Sequence, residues 1–395
     1  MKKKLLFLTP TLPYPPISGG VIKSNKLVQY LSKHYALSIA CLFKNEDKKY
    51  KDDFLNTIQL DVFIYEAIDI PRNIANLLLS NLYGIPLNIY RNRSSALKEK
   101  IEAIIHDYEA VFCDHYVMFQ YIPEDFKGKI ILHEHNCEYL IWKRYADIEK
   151  NMFKKIALLN QAYRIKKYEQ EICKKADRIL AAPNDTEELI KIGAKPDKFY
   201  ETYHLGDDYL LDAPELNFEK TEQSLLYIGT LSWEANIDGL LWFIENSWPL
   251  IIDQHPNIKL HIIGKNPDKR LKEIVAQNPA IQLLGFVQNL EPFFQRCFAF
   301  ITPLRFGSGI KVKVVNALYR GIPCITTSIG AEGLEVIDGK HILIRNHAKD
   351  FAEAIDLLIR DQNKWEEISR NSRSLAQSKY TWDKVLENSI KAIED

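Results

Sequence analysis

Apolar and polar positions follow two alternating rhythms along this chain. Short runs rich in Val, Ile, Leu and Phe, namely KLLFLTP, ALSIACLF, DVFIYEA, AVFCDH, KIILHEH and RILAAP, recur through the first half, with amphipathic, helix-spaced segments between most of them. Strands buried on both faces read as continuous apolar runs, so this alternation predicts a parallel sheet covered by helices. The rhythm stops at DDYLLDAPELNFEKTEQS, residues 207–224, where acids, a proline and the lack of a sustained period mark a linker. It restarts with LLYIGTL and continues through KLHIIGK, IQLLGFV, FAFITPL and PCITT. The pattern therefore predicts an α/β protein with two tandem domains, residues 1–206 and 225–378, joined by the linker at 207–224. A closing helix follows at 379–395.

Length agrees, because 395 residues exceed what one hydrophobic core organises and suit two domains. No run of about 18 uncharged apolar residues occurs, so no span is expected to cross a bilayer. The start, MKKKLLFLTPTLPYPP, has a basic tip and an apolar run, but the run is short and ends in prolines, which predicts a first buried strand rather than a signal peptide. Six cysteines are scattered without paired spacing, which points to free thiols in a reducing cytoplasm rather than a disulfide framework or zinc ribbon. Net charge is zero, with 31 basic against 26 acidic residues up to position 204 and 21 against 26 after it. An asymmetry of +5 and −5 is too small for a nucleic-acid binder, although it leaves room for an anionic surface beside the first half.

Open parallel sheets bind ligands beyond the carboxyl ends of their strands, where helix N-termini present free N–H groups, and two such sheets facing each other make a deep cleft. In the second half, "PLRFGSGIKVKVVNALYRGIPCITT" joins a strand to a helix through Gly307, Ser308 and Gly309, followed by Lys311. Glycines allow close backbone approach, the helix start supplies donors, and the lysine adds a full cation. A phosphate or diphosphate suits that corner.

The same segment resembles the donor-binding corner of glycosyltransferases of family 4 and their relatives with the GT-B fold, through Pro303, Leu304, Gly307, Gly309, Lys311, Ala317, Gly321 and Pro323. The likeness extends over "YIGTLSWEANIDGLLWF", "HIIGKNP", "LLGFVQNLEPFF" and "TTSIGAEGL", most of residues 225–345. It implies two Rossmann-like domains facing across a cleft, with the final helix crossing back to the first. It also implies a donor site of Gly307, Ser308, Gly309, Lys311, Lys265, Phe286, Val287, Gly330 and Glu332. In that family an acidic residue on the corner helix binds the ribose hydroxyls, and Asn316 stands at the matching position. An amide oxygen still accepts one hydroxyl, at a cost on the order of 1–2 kcal/mol relative to a carboxylate. "GTLSWEANIDG" also lacks basic residues that many relatives place there, which leaves Lys311, Lys265 and backbone amides to meet the diphosphate.

In the first half, "TPTLPYPPISGGVIKSNKLVQYL" places Ser18, Gly19 and Gly20 at the start of a helix with Lys23 one turn in. The position matches the glycine loop of the resembling family, and Lys23 is a candidate phosphate or acceptor contact. "ILHEHNCEYLIWKRYA" gathers His133, Glu134, His135 and Glu138 at a strand end. Imidazole and carboxylate are metal ligands, but no third ligand has recognisable spacing and no metal is expected. The resemblance puts His135 near the transferred sugar. Residues 147–178 read as one long helix rich in lysine; with "NLLLSNLYGIPLNIY" and the +5 first half, it permits contact with anionic lipid or a lipid-linked acceptor.

The resemblance thus implies a glycosyltransferase of the hexosyl type, which uses a UDP- or GDP-linked sugar, needs no cofactor or metal, retains anomeric configuration, and serves a glycan or lipid-linked acceptor in bacterial polysaccharide assembly at the inner membrane face. Two other readings fit the same residues. One is a nucleotide-sugar or glycan-binding protein that has lost turnover, supported by Asn316, and the other is a GT-B epimerase acting on the donor alone.

Overall fold

The computed structural model describes residues 2–16 and 19–395, with Gly19 and Lys384 described by their backbone alone. The chain folds as two units, one running up to His204 and taking in Asp383–Asp395, the other Leu205–Trp382.

The first unit carries seven strands: β1 (Lys4–Thr9), β2 (Ala36–Phe43), β3 (Phe63–Ala67), β4 (Ala110–Asp114), β5 (Lys129–His133), β6 (Arg178–Ala181) and β7 (Phe199–Glu201). They form one sheet in the order β3-β2-β1-β4-β5-β6-β7, with every pairing parallel. Leu6, Leu8, Val111, Cys113 and Leu132 are buried in its core. The second unit carries β8 (Glu222–Ile228), β9 (Lys259–Ile263), β10 (Ile281–Gly285), β11 (Cys297–Thr302), β12 (Cys324–Thr326) and β13 (Leu343–Ile344), in the order β10-β9-β8-β11-β12-β13 and again parallel. Leu225, Tyr227, Leu260, Ile262 and Ile301 build its core, and the buried Trp365 donates Nε1–H to Phe298 O at 2.6 Å.

Helices that matter below are α1 (Gly19–His34), α2 (Ile74–Leu82), α3 (Glu138–Ile148), α4 (Met152–Lys175), α5 (Pro183–Lys191), α6 (Glu234–Trp242), α7 (Val312–Arg320) and α8 (Trp382–Glu394). The long helix expected over residues 147–178 is broken. Glu149 accepts the N–H of Asn151 at 2.9 Å, and Asn151 Oδ1 accepts the N–H of Lys154 at 3.1 Å, so the asparagine starts α4 as a fresh N-cap. The stretch expected as a linker at 207–224 also differs. It belongs to the body of the second unit, where Arg320 donates to Pro214 O at 2.7 Å and Arg373 bonds Leu211 O and Ala213 O. From Asp383 on, α8 packs into the first unit: Tyr35 Oη donates to Glu394 at 2.8 Å, Lys129 Nζ to Ile393 O at 2.8 Å and Asn388 Nδ2 to Glu201 O at 3.0 Å.

Strand order locates the functional ground. In the first sheet, β1 lies between β2 and β4, so chain direction on the sheet reverses between β1 and β4; in the second it reverses between β8 and β11. Loops at the carboxyl ends of such strand pairs diverge and leave a crevice.

Candidate functional site

At the first reversal, Asp114 ends β4 and is fully buried. Its Oδ2 accepts Thr9 Oγ1 at 3.2 Å, from the end of β1, and Ser24 Oγ at 2.5 Å, from α1. Its Oδ1 faces His133 Nδ1 at 2.7 Å and His135 Nε2 at 2.8 Å. Burial alone would raise the Asp114 pKa, yet the charge of His135 and the bonds from both imidazoles outweigh it and hold the carboxyl well below its ordinary range. A carboxylate is therefore fixed in place, and it dictates which nitrogen of each ring carries the proton.

The imidazoles form a cluster. Ring centroids of His133 and His135 lie 4.5 Å apart, His135 and His204 4.6 Å, and His135 and His115 5.0 Å. Nδ1 of His135 faces Gly20, where a Cβ would sit 3.6 Å away. Lys23 is also buried here, and its Nζ has no hydrogen-bond partner among the described residues. Burial pulls its pKa well below the ordinary value, against the charges of Asp114 and Asp185. Of the glycine-loop residues, Gly20 and Lys23 thus meet the histidine cluster, whereas Ser18 lies outside the described residues.

His133, His135 and His204 each offer a ring nitrogen within 4.8 Å of the others, the one group among the described residues with metal-ligand spacing. His204 supplies the third imidazole that spacing along the chain did not reveal. Two of the rings already spend a nitrogen on Asp114, and burial, then the Lys23 charge, depresses the pKa of both His133 and His204. Neutral imidazoles accept hydrogen bonds from hydroxyls and are also the form that binds metal ions.

Behind it lie buried carboxyls. Glu169 on α4 accepts the N–H of Glu138 at 2.6 Å and of Tyr139 at 3.1 Å and so caps α3, while Asp185 accepts the N–H of Cys137 at 3.1 Å. Burial, then Asn136 and Arg72 in the opposite sense, leave Glu138 with a pKa pushed up to about 7. A carboxyl that titrates near 7 when folded and near 4.5 when unfolded gives its full stability below pH 4.5 and loses it as pH rises through 7. The loss amounts to roughly 3 kcal/mol. Denaturation at about pH 5 and about pH 8 should show the Glu138→Gln variant losing that much less than the parent, and equal losses would contradict this account.

At the second reversal, β11 ends at Thr302 and the corner follows. Gly307 and Gly309 have φ of 142° and 68°, backbone that side-chain-bearing residues rarely adopt, and Lys311 occupies the N-cap position of α7. Lys311 is nearly fully buried; its Nζ bonds Gly309 O and lies 3.5 Å from Glu332 Oε2. Gly307 packs beside it, and a Cβ there would sit 3.7 Å from Lys311 Cε and from Trp233 Cη2. Glu332 follows Gly330, whose N–H is bonded by Thr327 Oγ1 at 3.1 Å and whose absent side chain leaves room for Thr326. Ser308 is buried within the same turn. Gly307, Ser308, Gly309, Lys311, Gly330 and Glu332 are therefore brought together.

A residue the sequence reading passed over joins them. Lys313, in the first turn of α7, donates to Tyr227 Oη at 2.8 Å and Asn236 Oδ1 at 2.6 Å, and lies 4.5 Å from the Tyr227 ring centroid. Burial, then the neighbouring charge of Lys311, lowers its pKa to about 7. Its Nζ is 2.8 Å from where a Cβ of Gly229 would lie, at the end of β8. Asn316, one turn on, accepts the Asp207 N–H at 2.9 Å through Oδ1, and Gly206 approaches so closely that a Cβ would fall 1.5 Å from that oxygen. Lys265, Phe286 and Val287 sit apart at the ends of β9 and β10, with Lys265 Nζ stacked 4.2 Å over the half-exposed Phe286 ring. Gly264 links the two groups, because a Cβ there would strike Gly229 O at 1.8 Å.

Comparison with known proteins agrees with this geometry. Residues 222–361 match the family model described as glycosyl transferases group 1. An uncharacterised 44.6 kDa protein in the cps region of Klebsiella pneumoniae is 24% identical over 98% of this chain and 99% of its own length. The capsular polysaccharide biosynthesis glycosyltransferase CapM of Staphylococcus aureus is 25% identical over 39% of this chain and 41% of its own. Among solved structures, Anabaena HepE in complex with UDP and glucose superposes over 100% of both chains with a TM-score of 0.65 at 13% identity. S. aureus TarM, as a variant in complex with UDP, does so over 100% of both with a TM-score of 0.71 at 12% identity. The second unit thus carries the group 1 glycosyltransferase model and the chain has the GT-B fold, which together support a group 1 glycosyltransferase.

Proposed function

We propose that the chain transfers a hexosyl group from a UDP- or GDP-linked sugar to a glycan or lipid-linked acceptor in polysaccharide assembly, without a metal ion or cofactor and with retention at the anomeric carbon. The observation that carries this is the gathering of Lys311, Lys313 and the N-terminus of α7 around the Gly307–Gly309 backbone, at the carboxyl ends of β8 and β11. The Lys311 cation, Lys313, whose proton a nearby anion helps to hold, and the N–H groups of the helix start suit a diphosphate, and they gain in effect as negative charge develops on the leaving group. The HepE and TarM complexes with UDP favour the uridine nucleotide.

In the transfer, the bond from the sugar C1 to the β-phosphate oxygen breaks and a bond from C1 to the acceptor oxygen forms. The acceptor proton passes to the departing phosphate. His135, held by Asp114, orients the acceptor. Lys265 and Phe286 flank the base, while Asn316 steadies the Gly206–Asp207 backbone beside the ribose. A lipid-linked acceptor would place the enzyme at the cytoplasmic face of a membrane.

Titration calorimetry with UDP, GDP and their common sugar conjugates in the presence of a chelator tests the reading. Saturable binding of one nucleotide, undiminished by the chelator, is expected; no binding to any nucleotide would overturn it.

A further inference from the structure

The first unit presents an apolar face that its own fold leaves uncovered. On α2, Ile74, Leu78 and Leu82 recur every fourth residue along one stripe, and Ile74 and Leu82 are 75% and 81% exposed. On α4, Met152 and Ile156 are spaced in the same way beside Phe153, which is 87% exposed. A surface helix normally turns its apolar stripe to the core and its polar residues to water. Here α4 already buries Leu158, Ala162 and Ile165 on its inner side, so the outer stripe is additional.

The two helices are joined beside these stripes. Asn160 Nδ2 donates to Asn81 Oδ1 at 3.3 Å, and Ile156 and Leu78 lie one turn before these residues on their own helices. Arg164 clamps the end of α2 through Asn81 O at 3.1 Å and Ile85 O at 3.1 Å. Basic residues outnumber acids along these segments: residues 147–168 contain Lys150, Lys154, Lys155, Arg164, Lys166 and Lys167 against Asp147 and Glu149, of which Glu149 pairs with Lys154 Nζ at 2.7 Å, and residues 69–93 contain Arg72, Arg91 and Arg93 against Asp69.

From this we infer that the α2–α4 face docks on the surface of a membrane containing anionic lipid, with the apolar stripes entering the headgroup layer and the basic residues meeting lipid phosphates. Basic residues around an apolar helical face are the composition that interfacial binding requires. No helix of the described residues is long and apolar enough to cross a membrane, so the contact is peripheral. A second copy of the chain fits less well, because a two-fold contact would set this patch against itself and bring its excess of basic groups together. The inference stands apart from the transfer reading, since neither helix carries a donor-site residue.

Co-sedimentation of the full chain with vesicles of phosphatidylcholine, and of an equal mixture of phosphatidylcholine and phosphatidylglycerol, tests it. Binding to the mixed vesicles should exceed binding to the neutral ones by about tenfold or more and fall with added salt. Two paired variants change side chains outside the core: Phe153→Ser with Ile156→Ser, and Lys150→Glu with Lys155→Glu. Each should weaken binding to mixed vesicles about tenfold while leaving the thermal midpoint and nucleotide affinity of the protein unchanged. Absence of vesicle binding, equal binding to neutral vesicles, or binding that survives both pairs would overturn the inference. So would a solution mass showing a dimer that the Phe153→Ser, Ile156→Ser pair dissociates.

Discussion

Replacing Lys311 with methionine is expected to weaken nucleoside-diphosphate binding about 100-fold, measured by calorimetry against the parent protein. Methionine keeps the apolar stem that packs beside Gly307 and Trp233, so the loss reports the ammonium rather than a cavity. Two effects add. The variant lacks a charge-assisted bond to phosphate, and Glu332, which the lysine faces at 3.5 Å, loses that offsetting charge and repels the anion more strongly. About 3 kcal/mol for a desolvated phosphate contact corresponds to that factor. Restoring neutrality tests the division: Lys311→Met combined with Glu332→Gln should recover part of the affinity, and no recovery would show that Glu332 does not act on the ligand.

The second large effect falls on turnover. Asp114→Asn keeps the shape of the residue but removes the negative charge and half of its accepting capacity, while Thr9, Ser24, His133 and His135 all direct polar atoms at it. An asparagine oxygen cannot serve all four, and its amide donates towards whichever ring faces it, so His135 turns or adopts the other tautomer. A drop in kcat on the order of 100-fold is expected, the usual reach of a mispositioned hydrogen-bonding group in an active site. Nucleotide affinity should stay within about twofold, because the residues proposed to meet the nucleotide lie in the second unit. A variant that loses affinity and turnover together would instead point to a general failure of folding. Asp114 is a positioning residue in this account, and the split between kcat and nucleotide affinity is the readout that a merely structural role would not produce.

Particular residues show what the sequence could reveal. The strands beside the two reversals were legible because a parallel strand covered on both faces is a continuous apolar run. β7 and β13, of three and two residues, were not, because edge strands so short carry no pattern. The break before α4 was hidden as well: apolar spacing runs through it, and only the Asn151 cap reveals the restart. Residues 207–224 read as a free linker from composition, whereas backbone carbonyls bonded by Arg320 and Arg373 tie them down.

The donor corner was legible because its glycines and lysine are contiguous, and a turn of left-handed backbone leading into a helix start is a local matter. Lys313 was not, since its placement depends on Tyr227 and Asn236, 86 and 77 residues away. Asp114 is 21 residues from His135, and nothing in AVFCDH shows that its acid turns towards two histidines at the end of the next strand and just beyond it. Long-range pairs of this kind exist only once the strand order is known.

The central claim is that a nucleoside diphosphate sits on the Gly307–Lys311 corner, and hydrogen exchange of the parent protein with and without saturating UDP tests it most directly. Slowed exchange is predicted in residues 303–316 and 229–236, whose backbone amides surround Lys311 and Lys313, with the amides of β4 and β5 unaltered. Protection confined to the first unit, or absent from residues 303–316 at full occupancy, would contradict it.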